Sequence, residues 1–391
     1  MAVSRALRRT NPITLILAGL LSVGFLFFIF SPTSTSASGS TSQERKSYAA
    51  ENSLSPPTKP FLKEPPVKAN GRRAPPPVVR YNLNNNTATT DSIKNHERVL
   101  ILTPLARFYI EYWDNLVKLS YPHQYISLGF IIPKTPEGNA AVSALQAAIK
   151  QIQSGPVDDR FASITILRQD FDPPIASQVE KERHKMENQK KRREAMSRAR
   201  NSLLFTTLGP STSWVLWLDA DIVETPATLI QDLTKHNKPV IVPNCYQRFR
   251  NPETNQMDTR PYDYNSWVDS PRSLEVAKAM GPDEILLEGY AEMPTYRTLM
   301  AHLADKSQNR DVDKIMSLDG VGGTALMVKA DVHRDGAMFP PFPFYHMVET
   351  EGFAKMARRL GWLCFGLPNY FVSSSPEERH LEPHSWMIIG V

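Results

Sequence analysis

The sequence predicts an α/β fold, a Rossmann-like sheet whose strands alternate with helices, preceded by an N-terminal transmembrane helix. Three observations predict it. From about residue 97, short apolar runs alternate with amphipathic stretches, the pattern of a parallel sheet covered on both faces. The fourth run, Trp214-Val-Leu-Trp-Leu218, ends in two carboxylates, Asp219 and Asp221, which the two-residue period of an extended chain turns to one side. Residues 13–30 contain no charge and follow Arg5, Arg8 and Arg9.

That uncharged run of eighteen residues lies within the roughly 17–25 that cross a bilayer as a helix. It exceeds the apolar core of about 7–15 in a cleaved signal peptide. Positive charge before the span places residues 1–12 in the cytosol and the rest in the lumen. Residues 31–95 are Ser/Thr-rich and then Pro-rich without an apolar period, which predicts an extended stem. The stem holds the sequon Asn85-Asn86-Thr87, usable only in a lumenal chain. The globular domain is expected over 96–371, with an atypical tail at 372–391. A formal charge of +5 fits an anionic ligand or a membrane surface, and no aromatic-basic motif points to nucleic acid. Cys245 and Cys364 are the two cysteines, too few for a disulfide framework or a zinc site; they either pair or stay as buried thiols.

In order, strands are expected at 98–103, 126–132, 164–167, 214–218 and 240–245. Helices are expected at 108–119, at 139–153, where Gly155-Pro156 stops the pattern, and at 175–208, stopped by Gly209-Pro210. The last is strongly charged. Its run Lys190-Lys-Arg-Arg193 continues through Arg198 and Arg200, and most of these charges read as a solvated face. One or two arginines turned inward would suit a diphosphate, which a planar guanidinium matches. Beyond residue 245 come a polar, aromatic loop at 261–267 and a segment from Asp283 that leads into a helix through His302. A Gly-rich turn before a strand at 318–329, a helix at 349–360 and a strand at 363–366 complete the chain. Gly320, Gly322 and Gly323 either admit a ligand to the backbone or simply make the turn. They match no nucleotide-binding fingerprint.

Ligands of α/β sheets sit at the carboxyl ends of strands, where Asp219 and Asp221 stand, and paired acids there suit a hard divalent cation carrying phosphates. A surface turn with two exposed acids is the plain alternative. Asp219-Ala-Asp-Ile-Val223 also fits the phosphatase pattern in which the first Asp is the nucleophile. That pattern follows a first strand and needs a later Gly-Asp-x-x-x-Asp, and neither condition is met.

Seven runs carry a more specific resemblance: Arg198-Ala-Arg-Asn-Ser-Leu-Leu204, Trp214-Val-Leu-Trp-Leu-Asp-Ala-Asp-Ile-Val-Glu-Thr-Pro226, Arg260-Pro-Tyr-Asp263, Glu288-Gly-Tyr-Ala-Glu292, Asp319-Gly-Val-Gly-Gly323, His333-Arg-Asp-Gly-Ala337 and Glu349-Thr-Glu-Gly-Phe353. Together they resemble the fungal Golgi mannosyltransferases of the mannan polymerase complexes, glycosyltransferase family 62. The resemblance implies a GT-A fold with a mixed sheet, a GDP-mannose donor, Mn²⁺, and α-1,6-mannose added to N-glycan outer chains with retention. It implies a Golgi membrane location and partner subunits in a hetero-oligomer, in which a non-catalytic scaffold role is the alternative. Asp219 and Asp221 would face the metal, and Arg192 or Arg193 the diphosphate. Asp263 would meet sugar or acceptor, and Asp319 and Glu351 the mannose and acceptor side. The family's last strand leads to a metal-site histidine, where this chain has Ser374; His380 and His384 lie beyond a proline. Val372-Ser373 can be encoded by GTAAGT, a common intron start, so the tail from Val372 reads as a translated intron. A cDNA running uninterrupted through codons 373–391 would overturn that reading.

Overall fold

A computed structural model describes residues 78–169, 186–251, 254–290, 292–305 and 307–375. The predicted membrane span, most of the stem and the residues after Ser375 lie outside them. So does the first part of the long charged helix.

The domain opens with β1 (Arg98–Pro104), α1 (Ile110–Val117), β2 (Ile126–Pro133), α2 (Pro136–Ser154) and β3 (Ser163–Gln169). The entry to α2 is set by Pro136 in its first turn and by the Thr135 hydroxyl, which accepts from the Gly138 N–H. Then follow α3 (Met186–Thr207), β4 (Thr212–Leu218), β5 (Ile222–Glu224), α4 (Leu229–Thr234), β6 (Val240–Arg250) and β7 (Met257–Pro261). The last part comprises β8 (Trp267–Val268), α5 (Pro271–Ala279), β9 (Thr298–Leu299), β10 (Met316–Leu318), β11 (Ala325–Lys329), α6 (Ala330–Arg334), α7 (Glu349–Arg359) and β12 (Cys364–Ser374).

The main sheet runs β10-β12-β6-β11-β4-β1-β2-β3, with β5 on β12 and β7 on β6. Strands β4, β1, β2 and β3 are parallel, as the alternation predicts. The sheet as a whole is mixed, because β11 enters antiparallel between β4 and β6. Ala325 pairs with Leu218, so the Gly-rich residues before β11 arrive beside the carboxyl end of β4. This pairing is what builds the site.

Every residue of β4 is buried, so its continuous apolar run is that of a strand covered on both faces. On one face Leu100, Leu102, Val215, Trp217, Leu326 and Val328 pack with Leu203 and Leu204 of α3 and Phe353 and Ala357 of α7. At roughly 1.5–3 kcal/mol for each large apolar side chain, that seam fixes both helices to the sheet.

Four sequence expectations change. Part of the predicted stem packs on the domain: Glu97, 3% exposed, accepts from the Thr87 hydroxyl, the Thr89 N–H and hydroxyl, and the Trp214 indole. The helix expected to run on from Glu292 through His302 does not form, because Thr298–Leu299 pair with Trp267–Val268 and only Met300–His302 make a 3-10 turn. Helix α5 was not anticipated, although Ser270 and Ser273 form a capping box around Pro271. Finally, the last strand continues past Val372 to Ser374, so the expected boundary at 371 falls inside β12. Cys245 and Cys364 are both free and buried.

His333, on α6, illustrates how burial fixes a tautomer. Its Nε2 receives the Trp217 indole N–H at 3.2 Å, so Nδ1 carries the proton that goes to the Ala337 carbonyl at 2.8 Å. Burial lowers its pKa to about 4 from an ordinary value of 6.5. The unfolded chain binds this proton first as pH falls, so the contribution is whole above about pH 6.5 and is lost towards pH 4. The shift corresponds to about 3 kcal/mol. Denaturant melts between pH 7 and 4 should show that loss in the native chain and a flatter profile in His333→Gln.

Candidate active site

The turn after β4 is pinned by its own backbone and by β11. The Asp219 N–H donates to the Thr324 carbonyl at 2.9 Å, and the Ile222 N–H returns to the Asp219 carbonyl at 3.1 Å. A donor from another element then holds each acid. Asp219 Oδ1 accepts from Arg200 Nη2 at 2.8 Å, and Asp221 Oδ2 accepts from the Tyr262 hydroxyl at 2.7 Å. Arg200 comes from α3, is 3% exposed and lies over the rings of Trp217 and Phe339. Its Nε reaches Glu349 Oε1 at 3.2 Å. Glu349 has φ +61°, a left-handed conformation that costs a non-glycine residue about 1–3 kcal/mol and that this ion pair helps to hold.

Asp219 and Glu349 thus share Arg200, while Asp221 is held separately by Tyr262. Burial pushes the Asp219 carboxyl up to about 7; Arg200 pulls it the other way, and Asp221 and Glu349 add to the rise. Burial, followed by the Asp221 charge, also raises the Tyr262 phenol well above its usual range. An excess of negative charge at a partly exposed strand end is what a divalent cation would neutralise.

Asp263 joins the same centre. Its Oδ1 accepts the N–H and Nδ2 of Asn265, each at 2.9 Å, and its Oδ2 accepts the Thr324 hydroxyl at 3.0 Å. Thr324 therefore ties Asp263 to Asp219. The glycines beside it make room for the chain's own side chains. A Cβ on Gly322 would lie 1.8 Å from Asp263 Oδ2, one on Gly320 would lie 2.3 Å from the Trp267 ring, and one on Gly323 would lie 2.9 Å from Arg200 Nη2. Each glycine admits one residue of the site.

The remaining predicted residues stand one layer further in. Arg193 gives Nη1 to Glu351 Oε2 at 2.6 Å and Nη2 to Asn265 Oδ1 at 3.1 Å. Glu351 is fully buried and also receives the Trp267 indole N–H at 2.8 Å. Arg297 stacks 3.5 Å from the Trp267 ring centre and pairs with Glu288 at 2.7 Å. Asp319 is ion-paired with Arg358 and accepts the Asp269 N–H at 2.8 Å. Arg192 is half-buried on α3, with Nη1 3.4 Å from Gln189 Oε1. The structure thus gathers Asp219, Asp221 and Asp263, links Arg193 and Glu351 to them through Asn265, and sets Asp319 apart beneath Trp267.

Sequence reasoning missed Arg200, Tyr262, Thr324 and Glu349. Arg200 was legible: Arg193, Ser197, Arg200, Asn201 and Leu204 follow the i, i+4, i+7, i+8, i+11 spacing of a buried helix face, and all five are buried.

A cation seat of two carboxylates is consistent with the chemistry of Mg²⁺-like ions, which keep waters and substrate phosphates as their other ligands. Among the described residues no group of three or more His, Cys, Asp or Glu is arranged to hold a metal. Ser374, at the position of the expected histidine, is buried with its hydroxyl unpaired, and the Ser375 N–H donates to the Asp221 carbonyl at 2.7 Å. Two acids and a bound diphosphate fit; an all-protein cage does not.

The family model described as Anp1 matches residues 77–343. The chain is 57% identical over 297 residues to the mannan polymerase complex subunit MNN9 of Candida albicans, covering 75% of this chain and 79% of that protein. It is 56% identical over 292 residues to the mannan polymerase complex subunit mnn9 of Schizosaccharomyces pombe, covering 75% and 84%. Among solved structures it is similar to a mannosyltransferase from Pyrobaculum calidifontis in complex with GDP-Man and Mn²⁺, at 12% identity and a TM-score of 0.39 over 77% of this chain and 62% of that one. Similarity that remote carries no functional weight.

Proposed function

Because the chain belongs to the Anp1 family, we propose that it is an α-1,6-mannosyltransferase subunit of a mannan polymerase complex. It transfers mannose from GDP-mannose to N-glycan outer chains of secretory and cell-wall glycoproteins, on a GT-A fold. The lumenal domain is anchored in the Golgi membrane by residues 13–30 and works beside other subunits. The observation that carries the reading is the Asp219–Asp221 turn, locked by Arg200 and Tyr262 at the carboxyl end of a central strand.

Asp219 and Asp221 would hold Mn²⁺, which supplies Lewis-acid neutralisation of the charge that grows on a departing diphosphate. The chain's own residues preorganise that seat. Arg200 and Tyr262 fix one oxygen of each acid, so little rearrangement is left for the moment of reaction. Arg192 or Arg193 would meet the diphosphate, a planar guanidinium being suited to it, and Arg193 is held in place by Glu351 and Asn265. Asp263, held at both oxygens by Asn265 and Thr324, presents a fixed carboxylate to the mannose or acceptor. Glu351 and Asp319 act as positioning residues, through Arg193 and through the Trp267 layer. An α-linked donor giving an α-linked product retains configuration, so no general base is assigned.

A scaffold role is the second reading, favoured by serine rather than histidine at 374. The test is transfer from GDP-[¹⁴C]mannose to an α-mannoside by the purified full-length complex. Transfer should stop on chelation and return with Mn²⁺. A complex that keeps full transfer when this subunit carries Asp219→Ala would leave it as scaffold.

A further inference from the structure

We propose that Asn85 carries an N-linked glycan, placed on the end of the domain opposite the active site. The proposal rests on the lumenal placement given above.

The sequon Asn85-Asn86-Thr87 lies in the short 3-10 turn Leu83–Asn85, inside the described chain. Asn85 is exposed, and among the described residues its side-chain amide has no hydrogen-bond partner. Its neighbours differ. Asn86 Nδ2 donates to the Thr212 carbonyl at 2.6 Å, and Asn86 Oδ1 accepts the Ser213 hydroxyl at 2.9 Å. The Thr87 hydroxyl donates to Glu97 Oε1 at 2.9 Å. The turn is thus tied to the domain through Asn86 and Thr87 and presents the Asn85 amide to solvent.

Two features suit a glycan here. Val78, Val79, Tyr81 and Leu83 are 84%, 61%, 67% and 51% exposed, an unusual run of bare apolar side chains that a carbohydrate at Asn85 would shield. The position is also remote from the chemistry. Asn86 bonds the first residue of β4 and Asp219 follows the last, so the strand alone separates them by about 20 Å. A glycan at Asn85 leaves the mouth of the site clear.

The Thr87 hydroxyl is taken up by Glu97 in the folded domain, so attachment precedes folding. Asn85 Nδ2 forms a bond to the anomeric carbon of an oligosaccharide carried on a lipid diphosphate. The anomeric C–O bond breaks, the lipid diphosphate leaves with its electron pair, and one Nδ2 proton passes to solvent.

The test uses the full chain expressed through a fungal secretory pathway and read by mobility before and after peptide N-glycosidase. The native chain should shift by one glycan, Thr87→Ser should keep the shift, and Asn85→Gln and Thr87→Ala should each lose it while transfer activity is unchanged. A control carries Met257→Thr, which makes Asn255-Gln-Thr a sequon on an exposed hairpin loop. If Asn255 is modified there and Asn85 is not, the Asn85 assignment fails and the lumenal placement stands. If neither is modified, both fail.

Discussion

Replacing Asp219 with alanine is expected to lower mannosyl transfer by about 10³-fold or more, since a bound cation supplies several kcal/mol of charge stabilisation and each 1.36 kcal/mol is tenfold. The fold should survive the change. Asp219 sits at a strand end, its backbone bonds to Thr324 and Ile222 do not involve the side chain, and Arg200 keeps Glu349 as a partner. Burial is the main cause of the raised Asp219 proton affinity and the Asp221 and Glu349 charges add to it, so the loss of the Arg200 ion pair is offset in part by relief of that repulsion. Steady-state transfer and a thermal melt of the variant complex decide the matter. Activity within tenfold of native, with this the only transferase subunit present, would remove Asp219 from the reaction.

Glu351→Ala should behave in the opposite way. Truncating one member of a buried ion pair leaves the other charges uncompensated, a cost of about 3–5 kcal/mol. Here the stranded charge is Arg193, while Arg297 keeps Glu288, and the Trp267 indole N–H is left without its acceptor. Denaturant melts should show the midpoint displaced by that amount, and Glu351→Gln, which still accepts one hydrogen bond, should fall between. If Glu351→Ala instead melts with the native protein and only turnover drops, the carboxylate meets substrate directly. The contrast between the two variants separates a group that acts on the reaction from one that holds the site in place.

How much of this was readable depended on the kind of signal. Strands β1 to β4 were found within a few residues because buried parallel strands are continuous apolar runs, and Trp214 to Leu218 could be little else. Asp219 and Asp221 were found because that run stops on them. The helix expected through His302 was misread because local apolar spacing looked helical while Thr298 and Leu299 pair with the distant β8. Arg200 was passed over because a run of basic residues suggests a wet surface, although its spacing from Arg193 and Leu204 placed it on the buried face. Tyr262, Thr324 and Glu349 carry no sequence signature. Tyr262 arrives at the end of β7, Thr324 before β11 and Glu349 at the start of α7, long-range placements that no local pattern encodes.

The short strand β5, immediately after Asp221, finds its partner in Ser373 and Ser374, some 150 residues further along the chain. The Asp221 carbonyl likewise waits for the Ser375 N–H. Contacts so distant in sequence close late, after the local units have formed. During synthesis the acid turn therefore stays open at one side until the chain has emerged as far as Ser375. The turn that carries Asp219 and Asp221 is therefore complete only once β12, the last described strand, has joined the sheet, so the order of folding itself leaves these acids unfinished until the described domain is whole.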